Sequence, residues 1–299
     1  MSVLALLGPT ASGKSALALQ VARARIAAGQ PTEIVAVDAF TVYRGMDVGT
    51  AKPTAAERDE VPHHLVDVCD PSQALTVAAF QRLARATVDD VLTRGATPLL
   101  VGGSGLYWRA VVDPLRFPPT DPQVRARLEA RWWDRPDAAH DHLASLDPDA
   151  AARIGPANVR RTVRALEVQE LTGERFSAFD DGWSRHGGVF DDLTVGYLEP
   201  DGEVLRDRIH RRTATMVADG LLDEAARLRT GDLSRTAAKA IGYAEAFAVL
   251  DGEADEADLA ETIAVRTWRY ARRQRSWFRR DPRCLPAEPD TLVARLTDA

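Results

Sequence analysis

Near the start of the numbered sequence the chain reads Val3-Leu4-Ala5-Leu6-Leu7-Gly8-Pro9-Thr10-Ala11-Ser12-Gly13-Lys14-Ser15. The opening apolar run ends at a glycine, as a buried parallel strand does. The residues after it match the pattern G-x-x-x-x-G-K-[ST], and residues 15–26 then repeat apolar positions at helical spacing. A strand, this loop and a helix in that order predict a phosphate-binding loop.

The loop combines several features that bind phosphate groups. Successive backbone N–H groups and the N-terminus of the following helix attract anionic oxygens. Lys14 would add a positive charge at the terminal phosphate, and Ser15 would ligate a Mg²⁺ ion. A glycine-rich turn without a ligand is the alternative, but every position and both flanks fit the pattern. The expected ligand is a di- or triphosphate held by Gly8, Pro9, Thr10, Ala11, Ser12, Gly13, Lys14 and Ser15.

The alternation of strand and helix continues beyond the loop. Apolar runs at residues 34–37 and 97–101 predict two more strands, and residues 78–94 show the apolar spacing of a helix. Strands that alternate with helices are typical of a parallel sheet covered on both faces. We therefore predict an α/β fold, a P-loop NTPase-like parallel sheet flanked by helices.

A change of pattern marks a second region. Strand signals disappear between residues 118 and 192, and charge rises. Four helices are predicted there, each starting at an Asp or Asn that could cap it: residues 121–133, 137–146, 149–154 and 158–171. Glycine and polar residues at 180–192 favour a loop. We predict that residues 118–192 form a small all-helical insertion domain that contacts the nucleic-acid partner inferred below.

The rest of the chain is expected to return to the sheet. Residues 194–198 predict one further strand. Helices are then predicted at residues 203–228, 234–250 and 255–278. The predicted catalytic core therefore consists of residues 1–117 and 193–299.

Composition limits the classes of protein that fit. The chain has 299 residues, 45% of them hydrophobic, and a formal charge of −6, which excludes a uniformly basic surface. Its apolar runs are too short to cross a membrane, and Gly8 and Pro9 interrupt the first of them. We expect a cytoplasmic, monomeric protein. Cys69 and Cys284 are too few for a disulfide framework and should be buried thiols.

Asp38 follows the second predicted strand directly. Ligands of parallel sheets bind beyond the carboxyl ends of the strands, so Asp38 should lie near the loop and near Gly102-Gly103-Ser104-Gly105, which follows the third strand. Asp38 could hold Mg²⁺ as a Walker B carboxylate, accept a proton as a general base, or cap a helix. The glycines would let a ligand approach the backbone, but a turn without a ligand explains them equally well.

Positive charge is concentrated in arginine. Residues 266–283 contain eight arginines interleaved with Trp, Tyr and Phe. This pattern suits phosphate contacts and base stacking in RNA, and it equally suits a solvated helix with its aromatic residues turned inward. Arg208 and Arg212 share a predicted helix face, where one could clamp a diphosphate, although a solvated basic face is the simpler explanation. His63-His64 lack a third ligand at metal spacing, and we interpret them as structural.

Longer motifs occur together in one family. The sequence contains Asp38-Ala39-Phe40-Thr41-Val42-Tyr43-Arg44-Gly45-Met46-Asp47-Val48-Gly49-Thr50-Ala51-Lys52-Pro53, Pro62-His63-His64-Leu65-Val66-Asp67, Arg164-Ala165-Leu166-Glu167-Val168, Ala240-Ile241-Gly242-Tyr243 and Arg273-Gln274-Arg275-Ser276-Trp277-Phe278. With the phosphate loop, Gly102 to Tyr107 and Thr172-Gly173, these motifs resemble the bacterial tRNA dimethylallyltransferases. The resemblance runs from residue 3 to about residue 285.

This resemblance implies a specific reaction. Such an enzyme transfers a dimethylallyl group from dimethylallyl diphosphate to N6 of the adenine immediately 3′ of the anticodon, in tRNAs that read codons beginning with U. The implied partner is the anticodon stem-loop of tRNA, and the implied cofactor is Mg²⁺. Because the bond that breaks is carbon–oxygen, the loop would hold a leaving diphosphate and not a phosphoryl group in transfer.

The resemblance also implies roles for individual residues. Lys14, Thr10 and Arg212, with Mg²⁺ on Ser15, would stabilise the leaving diphosphate, and Asp38 would accept the proton of the attacking amine. For tRNA binding it points to Asp38, Ala39, Phe40, Thr41, Ser104, Arg125, Arg160, Arg161 and Arg164. The arginine–aromatic segment adds Arg272, Arg273 and Arg275. Ala39 and Thr41 depart from the Ser and Gln common in the family, so base contacts there would differ.

Three alternatives remain open at this point. An adenylate isopentenyltransferase would use AMP as its acceptor and shares the N-terminal motifs. A P-loop small-molecule kinase would transfer a phosphoryl group and gives no role to the arginine–aromatic segment. An RNA-binding P-loop protein without activity would not need Asp38.

Overall fold

A computed structural model describes residues 2–179, 182–183 and 186–299. The chain divides into two compact units, one of Met1–Val112 with Phe190–Ala299 and one of Asp113–Val189. Part of the loop predicted at residues 180–192 lies outside the described residues. Over the described part of the chain, no helix is long and apolar enough to span a membrane.

A parallel sheet forms the core of the first unit. Its described strands are β1 (Val3–Leu7), β2 (Thr32–Val37), β3 (His63–His64), β4 (Thr97–Gly102) and β5 (Leu193–Tyr197). They lie in the order β3-β2-β4-β1-β5, and every pairing is parallel. All residues of β1 are buried, as expected for a strand covered on both faces. The predicted fold class is confirmed, and the short edge strand β3 is an addition to it.

Side-chain alternation along β1 divides the core between the two faces of the sheet. Val3, Ala5 and Leu7 join a cluster with large aromatic side chains such as Trp108, Tyr43 and Phe278. Leu4 and Leu6 join a second cluster with helix residues such as Leu17 and Leu292. Cys69 and Cys284 are free and buried, as predicted.

The register of the strands places the carboxyl ends of β1, β2 and β4 at the same level of the sheet. Leu7 at the end of β1 pairs with Gly102 at the end of β4, and Gly102 also pairs with Val37 at the end of β2. The phosphate loop, Gly103 and Asp38 therefore leave the sheet at the same level, as ligand sites of parallel sheets require. Gly102 has no room for a side chain, because a β-carbon there would lie 2.4 Å from the carbonyl oxygen of Val37.

Four helices connect the strands of the N-terminal half: α1 (Lys14–Ala27), α2 (Ala55–Glu60), α3 (Val77–Thr93) and α4 (Gly105–Val112). The predictions for α1 and α3 are confirmed. The short helix α2 was not predicted, although Thr54 and Glu57 form a capping box at its start. The helix α4 was also missed, because the glycines before it indicated only a turn. At Gly105 a β-carbon would lie 2.1 Å from the Trp277 ring.

The second unit is helical in its described part. Its helices are α5 (Pro122–Trp132), α6 (Pro136–Leu146), α7 (Pro148–Ile154) and α8 (Val159–Thr172). They enclose their own apolar core, which includes Leu128, Leu143 and Leu166. Asp121 and Asn158 cap α5 and α8 as predicted. Asp137 and Asp149 do not cap α6 and α7, because each of these helices begins earlier, at a proline.

The helices after β5 are α9 (Gly202–Ala218), α10 (Leu221–Arg229), α11 (Tyr243–Leu250), α12 (Leu259–Phe278) and α13 (Pro289–Thr297). The single helix predicted at residues 203–228 is wrong, because Gly220 (φ 90°) separates α9 from α10. The prediction for residues 234–250 is also wrong in its first half. There the chain forms a short turn and then, at Gly242 (φ 97°), enters α11. Both glycines adopt a left-handed backbone that other residues avoid.

Candidate active site

The phosphate loop joins β1 to α1 through left-handed backbone. Ala11 (φ 61°) and Gly13 (φ 95°) both have positive φ, and Gly13 is the residue from which α1 starts. A non-glycine residue in this conformation is uncommon and costs energy, which functional sites often tolerate. Helix α1 starts directly after this turn, and the N–H groups of its first turn have no acceptor within the helix. These N–H groups form a site for an anion.

A cavity of about 540 Å³ lies beside this loop, within the first unit. Its wall includes the predicted residues Thr10, Lys14, Ser15, Asp38 and Arg212, together with Tyr270. Further charged and polar side chains also line it: Lys52, Glu57, His63, Lys239, Arg266, Arg273 and Gln274. The predicted catalytic residues therefore line one cavity.

Lys14 is half-buried in the wall of this cavity. Its Nζ donates to the carbonyl of Pro9 at 3.2 Å. Burial and the positive charge of Arg212 lower the pKa of Lys14 to about 8, against the opposing effect of Asp38. A negatively charged ligand would reverse this shift. An anion bound here would therefore hold Lys14 in its protonated form to higher pH.

Arg208 and Arg212 share one face of α9, as predicted, but they have different partners. Arg208 Nη1 donates to the carbonyl of Ser12 at 2.7 Å and so braces the phosphate loop from outside. Arg212 Nη2 lies 3.4 Å from the carbonyl of Thr50, and the rest of its guanidinium lines the cavity. Burial lowers the pKa of Arg212, which the negative charge of Asp38 opposes. Only Arg212 of this pair is placed to meet a ligand.

Asp38 uses one of its two carboxylate oxygens to shape the turn after β2. Oδ1 accepts from the backbone N–H groups of Phe40 at 2.8 Å and Thr41 at 3.3 Å. Oδ2 has no hydrogen-bond partner among the described residues. No helix starts at this turn, because the next one is α2, so the alternative of a helix cap is wrong. The free oxygen is available for proton acceptance or metal binding.

Two residues of α12, Tyr270 and Gln274, also line the cavity. The pKa of Tyr270 is raised to about 12 by burial and by the negative charge of Asp38, against the effect of hydrogen bonds with Ser104 and Gln274. Gln274 is 5% exposed and contacts the backbone of the phosphate loop. Neither residue was assigned a role from the sequence. The available signal was the sequence of α12, in which Tyr270 and Gln274 alternate with the arginines and so fall on another side of the helix.

A buried carboxylate holds another wall of the cavity, the loop after Met46. Glu224, which is 3% exposed, accepts from the backbone N–H groups of Asp47, Val48 and Gly49 at 3.0 to 3.2 Å. It also accepts from the Tyr243 hydroxyl at 2.6 Å. A β-carbon at Gly49 would lie 2.4 Å from the Tyr243 ring, so only glycine fits there. Glu224 was missed because a single Glu on a helix has no distinctive pattern.

A buried cation holds the far end of the same loop. The Nζ of Lys52 donates to the carbonyl of Tyr43 and to the carboxylates of Asp47 and Asp67. Its side chain is 3% exposed. All three of its protons are therefore used within the protein. The motif that carries the family resemblance, residues 38–53, is in large part a rigidly bonded wall.

The predicted tRNA-binding residues after Asp38 lie at the cavity. Phe40 and Thr41 line it, and Ala39 is half-buried next to them. The hydroxyl of Thr41 is buried without a hydrogen-bond partner. Ser104 is half-buried after β4. Their role in binding RNA stays a prediction.

The predicted arginines of α12 fall into two groups. Arg272 and Arg273 are exposed, and the Arg273 guanidinium lies 5.8 Å from the centre of the Tyr270 ring. Arg275 instead donates through Nε to the buried carboxylate of Glu199 at 2.6 Å, which Arg279 also contacts. The first group is free to meet phosphate, whereas Arg275 is engaged in holding the helix.

The arginines predicted in the helical unit divide in the same way. Arg160 and Arg161 are exposed in the first turn of α8. Arg125 and Arg164 both pair with the fully buried carboxylate of Glu167. Arg164 also donates to two backbone carbonyls before α5. Arg125 and Arg164 thus have a structural function that the sequence analysis did not foresee.

The metal-related predictions concern the histidines and Ser15. His63 Nδ1 lies 2.7 Å from the carbonyl of Val61, and His64 Nε2 lies 2.6 Å from Glu33 Oε2. No group of three His, Cys, Asp or Glu side chains suited to a metal occurs among the described residues. Ser15 presents a hydroxyl to the cavity. Such a site fits Mg²⁺ that is held chiefly by substrate phosphates, as this ion prefers.

Comparisons with known proteins agree on one family. The family model described as IPP transferase matches residues 41–281. A tRNA dimethylallyltransferase of Kineococcus radiotolerans is 51% identical over 294 residues, 96% of this chain and 91% of that protein. The crystal structure of a full-length tRNA isopentenylpyrophosphate transferase from Bacillus halodurans has a TM-score of 0.71 at 37% identity and covers 99% of this chain and 94% of that one. The structure of a eukaryotic dimethylallyltransferase acting on tRNA has a TM-score of 0.76 at 25% identity. The match covers 93% of this chain and 69% of that one.

Proposed function

The chain belongs to the IPP transferase family, and from this premise we propose how its cavity carries out prenyl transfer. The chain is an enzyme that transfers a dimethylallyl group to tRNA. The donor in this proposal is dimethylallyl diphosphate. The acceptor is N6 of the adenine immediately 3′ of the anticodon.

The phosphate loop and the start of α1 would bind the diphosphate of the donor. Lys14 and Arg212 supply positive charge, and Thr10 supplies a hydroxyl, at the end where charge develops as the carbon–oxygen bond breaks. Mg²⁺ held by Ser15 and the diphosphate would act as a Lewis acid on the leaving group. These groups would together stabilise the charge that develops on the leaving oxygen in the transition state.

Asp38 would take the proton from the acceptor. The adenine nitrogen attacks the first carbon of the dimethylallyl group, a carbon–nitrogen bond forms, and the electron pair of the broken carbon–oxygen bond leaves with the diphosphate. The proton of the amine passes to the free Oδ2 of Asp38. The adenine must leave the stack of the anticodon loop to reach this oxygen, which costs little in a single-stranded loop.

Exposed arginines would bind the tRNA itself. Arg272 and Arg273 on α12 and Arg160 and Arg161 on α8 have no ion-pair partner among the described residues. Guanidinium groups in that state suit phosphate contacts along an RNA backbone.

One observation carries this proposal: the phosphate loop with Lys14, the Arg212 side chain and the Asp38 carboxylate with its free oxygen line the same cavity. The test is incubation with radiolabelled dimethylallyl diphosphate, Mg²⁺ and either unmodified tRNA or AMP. We expect label in tRNA, on the adenine 3′ of the anticodon after nuclease digestion, and none in AMP. Label in AMP would make the protein a free-nucleotide transferase, and label in neither would end the proposal. A parallel incubation with γ-labelled ATP tests the kinase alternative, for which we expect no transfer.

A further inference from the structure

Gln274 connects two glycine-rich turns that are far apart in sequence. Its Oε1 accepts from the backbone N–H of Thr10, in the phosphate loop, at 2.9 Å. Its Nε2 donates to the carbonyl of Gly103, after β4, at 2.7 Å. The side chain is 5% exposed and lies in the cavity wall. One amide therefore joins α12 to the two turns that flank the proposed diphosphate site.

The two bonds fix which end of the amide faces which turn. A backbone N–H can only donate, so Thr10 must face the amide oxygen, and a carbonyl can only accept, so Gly103 must face the amide nitrogen. Glutamine supplies both groups at this reach. A carboxylate keeps the acceptor but loses the donor, and methionine has a similar length but neither group.

The packing around this amide is tight. A β-carbon at Gly103 would lie 2.7 Å from Nε2 of Gln274 and 2.9 Å from the carbonyl oxygen of Gly8. Glycine at 103 thus lets the amide and the phosphate loop approach each other. A change at Gln274 would therefore be felt directly by the loop backbone.

We propose that Gln274 is a positioning residue for the diphosphate. It holds the backbone of Thr10 against the end of β4, so that the Thr10 hydroxyl and the N–H groups of the loop face the ligand. This inference rests on the proposed function for the nature of the ligand, but it concerns binding and requires no transfer. Gln274 itself has no need to touch the substrate.

The test measures binding of inorganic pyrophosphate by calorimetry, with Mg²⁺ present, to the full chain and to Gln274→Met and Gln274→Glu variants. We expect the Kd of Gln274→Met to rise about 10-fold, as for the loss of buried hydrogen bonds, and that of Gln274→Glu to rise further at pH 7 through repulsion. The affinity for tRNA without donor should stay within about two-fold, since pyrophosphate and tRNA contacts are separate.

A pH series separates positioning from mere structural support. A protonated carboxyl has one O–H donor and one acceptor, so Gln274→Glu should recover towards the wild-type Kd between pH 7 and pH 5. Gln274→Met should show no such recovery. If both variants bind pyrophosphate as the wild type does, or if both lose it equally at every pH, the inference is wrong.

Ser276→Ala provides the matched control, because Ser276 is exposed on the same helix and has no partner among the described residues. We expect its Kd to equal that of the wild type. A wild type that binds pyrophosphate but does not prenylate tRNA would overturn the proposed function and leave the Gln274 comparison decisive. A wild type that does not bind pyrophosphate would overturn the inference as well.

Discussion

Two clusters of charged side chains in this protein each combine one carboxylate with two cations. In the helical unit, Glu167 accepts from Arg125, from Arg164, from the Thr120 hydroxyl at 2.8 Å and from the Asp121 N–H at 2.9 Å. In the cavity of the first unit, Asp38, Lys14 and Arg212 line one space but form no ion pair with one another in the described structure. We call the first the closed cluster, because its carboxylate is paired with its cations, and the second the open cluster, because its charged groups do not pair with one another.

The difference shows how the same groups serve structure or chemistry. Burial raises the pKa of Glu167, but the hydrogen bonds from Arg125 and Arg164 outweigh burial and leave it below its usual range. The closed cluster compensates its own burial. In the open cluster the pKa of Lys14 falls to about 8, because burial and Arg212 are not balanced by a direct partner. Its charge is available to a ligand, which is typical of functional sites.

The largest expected effect comes from removing the carboxylate of the open cluster. Asp38→Asn should lower the rate of prenyl transfer by about 10² to 10⁴, as for a lost general base. Pyrophosphate binding should be unchanged or tighter, because a nearby negative charge is removed. Single-turnover transfer of labelled prenyl groups and calorimetry measure the two quantities. Full activity in this variant would show that Asp38 is not the base.

The same change in the closed cluster should affect stability. Glu167→Gln leaves two arginines without their buried partner, and the free energy of unfolding should fall by about 2 to 3 kcal/mol. Denaturant unfolding followed by circular dichroism measures this, and pyrophosphate affinity should not change. Because the folded pKa of Glu167 is lowered, its contribution is present above pH about 4.5 and is lost as pH falls through the folded pKa. If Glu167→Gln were as stable as the wild type but bound pyrophosphate weakly, the assignment of a structural role to the closed cluster would be wrong.

The open cluster should also respond to alkaline pH. Diphosphate favours protonated Lys14, whose pKa in the free protein is about 8, so pyrophosphate affinity should fall about five-fold between pH 8 and pH 9. Lys14→Arg stays charged and should lack this part of the pH dependence, which separates it from titration of pyrophosphate. The stability of the protein should change in the opposite direction. Lys14 binds its proton less tightly in the folded than in the unfolded protein, so the free energy of unfolding should increase from pH 8 to about pH 10. Identical pH profiles of the two proteins would refute this assignment.

The smallest effects are expected among the arginines of α12. Replacing Arg272 and Arg273 by Gln should weaken tRNA binding and reduce the slope of log K against log salt by about 0.7 for each phosphate that is no longer neutralised. Arg275→Gln should change this slope less, because its guanidinium already pairs with Glu199. Filter binding over a range of salt concentrations gives both slopes. A larger change for Arg275 would mean that its ion pair opens to meet the RNA.

The sequence was informative where a pattern is local. The apolar run of β1, the phosphate loop and the spacing of α1 and α3 are contiguous signals, and they sufficed for the parallel sheet and for the meeting of Lys14 with Asp38. Helix ends at Gly220 and Gly242 were missed, because apolar periodicity continues across them while the backbone turns. A glycine within such a pattern is compatible with a helix or with its end.

Residues whose roles depend on distant partners were beyond such patterns. Glu224 and Gln274 act on backbone groups about 170 to 270 positions away, and nothing near them in the sequence signals those contacts. The family resemblance placed Arg125 at the RNA, and nothing local in the sequence shows that it pairs with Glu167. Pairing between remote charges decides which arginines are free, and only the fold establishes it.

The strand order β3-β2-β4-β1-β5 acts as a fixed spacer between the two halves of the proposed reaction. Because β4 lies between β1 and β2, the phosphate loop and Asp38 leave strands that are two spacings, about 10 Å, apart. A diphosphate on the loop then leaves room for the prenyl carbon and the adenine nitrogen before the carboxylate is reached. With β1 directly beside β2, one spacing of about 5 Å would set the carboxylate against the diphosphate. In the proposed reaction, the order of the strands would thus keep the leaving group and the base apart.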